Sequence, residues 1–185
     1  MGILKMQQRR QKALDREGLW NYALKALGGR AHSTGELREK MKRRTENLDD
    51  VEQVLARLRE SKYLDDQRFA EGYATARLSN ERFGKTRVLQ DLRQRRVAPA
   101  LAEKTVGQVY QEVDEPALIE EWVRRKYRGV PRERLFQEEK DLASAYRRLL
   151  RAGFRTGEII RVLKKFAKNP ELLDNFEPPE ETEQE

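Results

Sequence analysis

Few residues in this chain are placed to do chemistry. Gly84-Lys85-Thr86 has the ending of a phosphate-binding loop, in which backbone amides and a lysine cradle nucleotide phosphates. That loop also requires a glycine five residues earlier, where Ser79 stands, and a preceding strand, where the pattern reads helix. A turn opening a helix is the better reading. Asp65-Asp66 offers two carboxylates, but adjacent residues diverge on a helix, and aspartate ahead of a helix is an ordinary capping residue. His32 is the single histidine and cysteine is absent, which removes thiolate nucleophiles, disulfides and His–carboxylate metal clusters. No serine–histidine–carboxylate set can be assembled. The chain is expected to be no enzyme and to use no cofactor or metal.

What remains is positive charge. Arg93, Arg95 and Arg96 end one helical stretch, and Arg124, Arg125, Lys126 and Arg128 end another. Arg132 and Arg134 follow, then Arg147, Arg148, Arg151 and Arg155, then Lys164, Lys165 and Lys168. Bases in a last helical turn complement the helix dipole, but that effect needs one or two charges, not four. Arginine in excess of lysine favours forked contacts with phosphates or carboxylates. No motif that reads base edges is interleaved with them, so contact with DNA should be sequence-independent. The aromatics Trp20, Tyr22, Phe69, Tyr73, Trp122 and Tyr146 fall on apolar stripes and are expected in cores, whereas Phe83 and Tyr127 sit near helix ends.

The bulk composition agrees. In 185 residues, 37% are hydrophobic and 38% charged, a balance that favours a thin, helix-rich body over one large core. The net charge of +7 hides a polarity along the chain. Residues 171–185 hold seven acids and no base, which leaves 39 bases against 25 acids, an excess of +14, in the rest. A body that basic is drawn to polyanions. No apolar run approaches the roughly 20 residues needed to cross a bilayer, and Met1 to Arg16 has bases but no apolar signal core, so a soluble cytoplasmic protein is expected.

The elements that must carry these bases are helices throughout. Trp20, Ala23, Leu24 and Leu27 share one face, and Gly28-Gly29 stops that helix. Ser33-Thr34-Gly35-Glu36 has capping-box spacing ahead of Leu37 and Met41. Asp49 to Glu52 can cap a third helix bearing Val51, Val54, Leu55 and Leu58. The pattern then restarts: Asp65 or Asp66 caps a helix with Phe69, Tyr73 and Ala76, Gly84 precedes Val88, Leu89 and Leu92, and Pro99 opens a helix with Ala102, Val106 and Val109. Tyr22, Leu37 and Met41 superimpose on Tyr73, Val88 and Leu92 at a constant offset of 51 residues. A third unit has Leu118, Ile119, Trp122 and Val123 in its first helix, Leu142, Ala145, Tyr146 and Leu149 in its second, and Ile159, Val162, Leu163 and Phe166 in a last helix capped by Thr156. The expected fold is all-α: three tandem three-helix repeats (19–64, 65–114, 115–168) between a basic extension (1–18) and an acidic, disordered tail (169–185). Units of that size cannot bury a good core alone and stack in line, giving an elongated, curved body about 60–80 Å long.

Tyr63-Leu64-Asp65-Asp66-Gln67-Arg68-Phe69-Ala70, followed by Gly84 and the basic, leucine-striped helix from Lys85 to Arg93, resembles the signature of the RecX family. Ser33 to Leu37 and Arg151-Ala152-Gly153-Phe154 also look like family positions, and the resemblance spans Leu19 to Phe166. It is most specific at the first of these stretches and weaker in the third unit. The signature residues Tyr63, Leu64, Asp65, Asp66, Arg68, Phe69, Ala70 and Gly84 read as architectural: Asp65 or Asp66 caps, Phe69 packs, and Arg68 pairs with a carboxylate. The resemblance implies tandem three-helix repeats that lie in the groove of the RecA–DNA filament, suppress its ATPase and strand exchange, and promote its disassembly. It implies a monomeric, non-enzymatic regulator in DNA recombination, repair and the SOS response. Its partners would be the RecA filament and, without sequence preference, the phosphates of single- or double-stranded DNA, with no membrane. The alternative from the residues alone is a helix-turn-helix-like protein acting directly on DNA, since three-helix units with a basic second or third helix have that form. A scaffold that binds another protein through its helices is a third.

Overall fold

The computed structural model describes residues 13–131, 135–136 and 138–167. Among them all regular structure is helical. The elements are α1 (Arg16–Gly29), α2 (Thr34–Lys42), α3 (Leu48–Glu60), α4 (Asp66–Ala76), a π-helical turn (Arg77–Glu81), α5 (Lys85–Gln94), α6 (Pro99–Val109), α7 (Glu115–Lys126), α8 (Glu139–Arg151) and α9 (Thr156–Phe166). They gather in threes around three separate apolar clusters. Leu19, Leu37, Met41, Leu55 and Leu58 centre the first, Ala70, Ala74, Val88, Leu92 and Val106 the second, and Ile119, Leu142, Tyr146, Leu149 and Ile159 the third. Phe83 packs against both the second and third clusters and so couples two units.

The 51-residue offset carries further than the apolar stripe. Leu37 and Val88 are fully buried, as are Met41 and Leu92. Tyr22 and Tyr73 are both half-buried, because each carries a guanidinium on its outer face: Arg44 lies 4.3 Å from the Tyr22 ring centre and Arg95 lies 4.8 Å from that of Tyr73. Those two arginines are also 51 residues apart. Of the six aromatics expected in cores, Tyr146 alone is fully buried; the other five are half-buried walls.

Most helix starts follow from their caps. Ser33 accepts from the Glu36 amide while the Glu36 side chain accepts from the Ser33 amide, completing the capping box. Asp65, rather than Asp66, caps α4 by accepting from the Arg68 amide at 2.9 Å. Two expected caps are corrected. The cap of α3 is Asn47, accepting from the Asp49 amide, since the helix starts at Leu48 and Asp49 to Glu52 lie inside it. Thr156 does not cap α9; Arg155 holds that position without a side-chain bond, and the Thr156 hydroxyl is 3.1 Å from the Tyr146 hydroxyl. The first helix also begins at Arg16, ahead of the expected unit boundary, because Asp15 caps it. The acidic tail lies outside the described residues.

The units are joined by one device used twice. The start of α2 abuts the end of α5: the Ser33 hydroxyl donates to the Arg95 carbonyl, and a methyl group on Gly35 would collide with the Arg96 carbonyl oxygen. Asp66 adds to this joint by accepting from the Thr34 amide at 2.7 Å. The start of α5 abuts the end of α8 in the same sense. The Gly84 amide donates to the Ala152 carbonyl at 2.7 Å, the Thr86 amide to the Gly153 carbonyl at 3.3 Å, and a methyl group on Gly84 would overlap the Gly153 carbonyl. Gly153, at φ +89°, supplies the left-handed turn that brings its carbonyl there. Each joint sets the positive end of one helix dipole on the negative end of the next. It also explains why α5 has no side-chain cap: the orphan amides of its first turn find the carbonyls left over at the end of α8.

Phe69 is half-buried and stacks on Tyr73 with ring centres 6.1 Å apart. Phe69→Ala is therefore expected to lower stability by about 2 kcal/mol, less than the ~3–5 kcal/mol of a fully buried phenylalanine. Asp65→Ala should lower it by about 1 kcal/mol through the lost cap. Urea unfolding of both variants checks the order; an aspartate effect larger than the phenylalanine effect contradicts it.

Candidate nucleic-acid interface

The bases marked out by the sequence divide into three kinds of position. The α5 set sits at the first joint. Arg95 is committed inward: it donates to Glu36 at 3.2 Å and covers Tyr73. Arg96 takes the left-handed conformation that ends α5, at φ +57°, and packs against Gly35. Arg93 and Arg96 are both exposed and without a carboxylate partner among the described residues.

The set at the end of α7 is partly committed. Asp114 caps this helix and Pro116 stands in its first turn, so its last turn presents Arg124, Arg125 and Lys126 together. Arg124, with a side chain 71% exposed, pairs with Glu120 at 3.3 Å. Arg125 reaches across to the Asn80 carbonyl of the π-helical turn at 3.4 Å, which ties the second unit to the third. Lys126 and Arg128 are exposed and have no carboxylate partner among the described residues. Arg124, Arg128 and Lys165 rim a cavity of about 620 Å³ whose walls include Tyr127 and Val130. Lys165 bonds to Glu120 at 2.7 Å, and this pairing holds the Glu120 carboxyl below its ordinary range.

The α8 set is the least committed. Leu142, Ala145, Tyr146 and Leu149 turn one face of this helix into the third core, and Arg147, Arg148 and Arg151 lie exposed on the rest. None of the three has a carboxylate partner among the described residues. Burial raises the Tyr127 phenol, and the Arg148 charge pulls it the other way. The second and third sets both belong to the third unit, at the ends of α7 and α8, whereas the first set ends α5 in the second unit. Arg132, Arg134 and Lys168 lie outside the described residues.

Several arginines with internal roles were not foreseen. Asp91 is buried in the second unit and receives the Tyr73 hydroxyl at 3.1 Å, with Arg87 and Arg77 at 3.0 and 3.7 Å. Arg77 also stacks on Tyr73, and Arg57 stacks on Trp20 at 3.9 Å. For Arg44 and Arg95, which cover Tyr22 and Tyr73, the recurrence of an arginine 22 residues after each tyrosine was the available signal. Arg68, expected to pair with a carboxylate, is exposed and pairs with none among the described residues. Near the first joint, burial pushes the Glu36 carboxyl up, but Arg30, the Ser33 amide and Arg95 outweigh it and hold it below its ordinary range. Burial, reinforced by Arg30 and Lys40, pushes His32 down, so neutral imidazole is the favoured form.

Comparison with known proteins bears on what such a chain is. Residues 20–58 match the RecX first three-helix domain and residues 65–106 the RecX second three-helix domain. The regulatory protein RecX of Deinococcus radiodurans is 34% identical over 171 residues, covering 91% of this chain and 74% of the relative. The chain belongs to the RecX family. The RecX protein of Trichlorobacter lovleyi is 30% identical, over 77% of this chain and 92% of its own length. The crystal structure of RecX from Lactobacillus salivarius shares the fold at a TM-score of 0.61 and 17% identity, covering 82% of this chain and 96% of that one. A second RecX crystal structure gives a TM-score of 0.62 at 20% identity, over 80% and 71% of the two chains. The RecX family is one of regulatory proteins, and that is the role of this chain. No helix among the described residues is long and apolar enough to cross a membrane.

Proposed function

We infer that this chain restrains homologous recombination by binding the RecA–DNA filament, lowering its ATPase and strand exchange and promoting its disassembly. It acts by occupancy and without catalysis, as a monomer in the cytoplasm, through three repeats at 19–64, 65–114 and 115–168. The observation that carries this reading is the surface of the third unit, where Arg147, Arg148, Arg151, Lys126 and Arg128 are exposed and have no carboxylate partner among the described residues. Guanidinium groups left without carboxylates are available to phosphates and to acidic protein surface. Filament ATPase on single-stranded DNA, measured with increasing amounts of this protein, tests the reading. It should fall saturably, at protein levels where binding to the filament exceeds binding to bare DNA. Tight binding to bare DNA with unaltered filament ATPase would favour the helix-turn-helix alternative instead.

A further inference from the structure

We propose that the groove between α1 and α4, at the first joint, is a docking site for an acidic peptide segment of a partner protein that carries one large apolar anchor. The groove has a volume of about 690 Å³. Its walls are Leu24 and Leu27 from α1 and Phe69 and Tyr73 from α4, all half-buried. His32, with 2% of its side chain exposed, lines it, and the His32 Nδ1 has no hydrogen-bond partner, its nearest carboxylate being Glu36 at 3.5 Å. Tyr63 stands on the rim and is 58% exposed, one of the few large hydrophobic side chains this far in solvent.

The groove contains the part of the family signature that architecture does not explain. Leu64 and Ala70 are core residues, Asp65 is a cap and Asp66 fastens the joint. Tyr63 and Arg68 do none of these things, and both face the groove. Lys62 and Arg68 are its two cations; each is exposed and without a carboxylate partner among the described residues. Two unpaired cations beside an apolar cleft complement an apolar side chain flanked by carboxylates. A nucleic acid fits less well. The α1 wall is aliphatic, so bases could stack on the α4 side alone, and two cations offset by the rim carboxylate Asp65 are few for a phosphate backbone. Gly72 lies on the α4 side, in mid-helix, where glycine costs about 1 kcal/mol relative to alanine. A Cβ there would have nothing within 4 Å, so packing does not require the glycine, while a partner backbone approaching closely would.

The identity of the partner, a protein component of the filament, rests on the functional reading above; the groove itself can be tested without it. Trp20 lies 6.3 Å from Tyr63 and reports occupancy once Trp122 is replaced by phenylalanine. The probe is a synthetic peptide, Asp-Glu-Leu-Phe-Asp-Glu, titrated against the full chain. A saturable change in Trp20 fluorescence is expected, lost when the phenylalanine anchor of the peptide is replaced by alanine. Gly72→Leu, which adds bulk to the groove wall at a point where a Cβ meets nothing within 4 Å, and Arg68→Gln should each weaken the peptide roughly tenfold or more. In the same variants filament binding should fall, while helicity and affinity for bare single-stranded DNA stay as in the parent. No response to the peptide, or a response that both variants retain, overturns the proposal. So does an equal loss on filament and bare DNA, which would make the groove a nucleobase site. A groove that binds peptide in a protein that leaves filaments untouched would instead sink the functional reading and spare this one.

Discussion

Gly84→Ala is expected to lower the melting temperature by about 6–12 °C and to broaden the transition, as the second and third units lose their register. The added methyl group meets the Gly153 carbonyl closer than 3.0 Å, and backbone, unlike a flexible side chain, cannot step aside. The amide bonds from Gly84 to Ala152 and from Thr86 to Gly153 must lengthen to relieve it. Overpacking of this kind costs about 1–3 kcal/mol and each lost hydrogen bond about 1 kcal/mol. A total near 3 kcal/mol or more corresponds to that shift in a chain of this size. Gly153→Ala should be at least as harmful, because its methyl group meets the Arg87 backbone and its φ of +89° is unfavourable for any side chain. Gly107→Ala is the control: it lies in α6 with nothing within 4 Å of the new atom, so replacement should be neutral or stabilise by up to ~1 kcal/mol. Circular dichroism melts of the three variants decide the matter. A Gly84 variant no worse than the Gly107 variant would mean that the joint is loose.

Reversing Arg147, Arg148 and Arg151 to glutamate should give a larger functional loss than reversing the bases at the end of α7. These side chains are exposed and without carboxylate partners among the described residues, so their charge is fully available to a ligand and their removal leaves no buried carboxylate behind. If each meets one phosphate of single-stranded DNA, the slope of log affinity against log salt should flatten by about 2, at roughly 0.7 per contact. Affinity at low salt should fall by about two orders of magnitude, and inhibition of filament ATPase should fall with it. Helicity should hold, apart from a few tenths of a kcal/mol per charge at the end of α8. The matching reversal of Arg124, Arg125 and Lys126 should do less to the salt slope. Arg124 is already shared with Glu120, and Arg125 is engaged by the Asn80 carbonyl, so part of its effect would be structural. A salt slope unchanged in the α8 variant would show that these bases only solvate a helix.

The apolar stripes were legible from residue types alone, since Leu37, Met41, Val88 and Leu92 recur with helical spacing and burial enforces it. The capping box at Ser33 was legible for the same local reason. The start of α3 was not: both Asn47 and Asp49 are competent caps, and only the path of the chain after α2 decides between them. The π-helical turn at Arg77–Glu81 carries no glycine or proline to announce it. Arg77, its first residue, contacts Tyr73, Glu81 and Asp91 at once. The arginines were the hardest to sort. Arg95 and Arg93 look alike in the sequence, yet one is bound to Glu36 and Tyr73 and the other is free to act, a difference made by a partner 59 residues away.

The joint between units has a consequence for how such a molecule can change its length. Its two faces are different surfaces, the start of one second helix and the end of the next, so the contact is directional and does not close on itself. The same rule already operates at two junctions that share no side-chain chemistry: a serine and a glycine against Arg95 and Arg96 at one, a glycine against Ala152 and Gly153 at the other. What both require is backbone meeting backbone, with no Cβ in the way. An in-frame duplication of the second repeat would set a Gly84 start against an Arg96 end, each already used at a different junction. Reach along a polymer could then be gained or lost by whole repeats, while the residues that grip the polymer are selected separately.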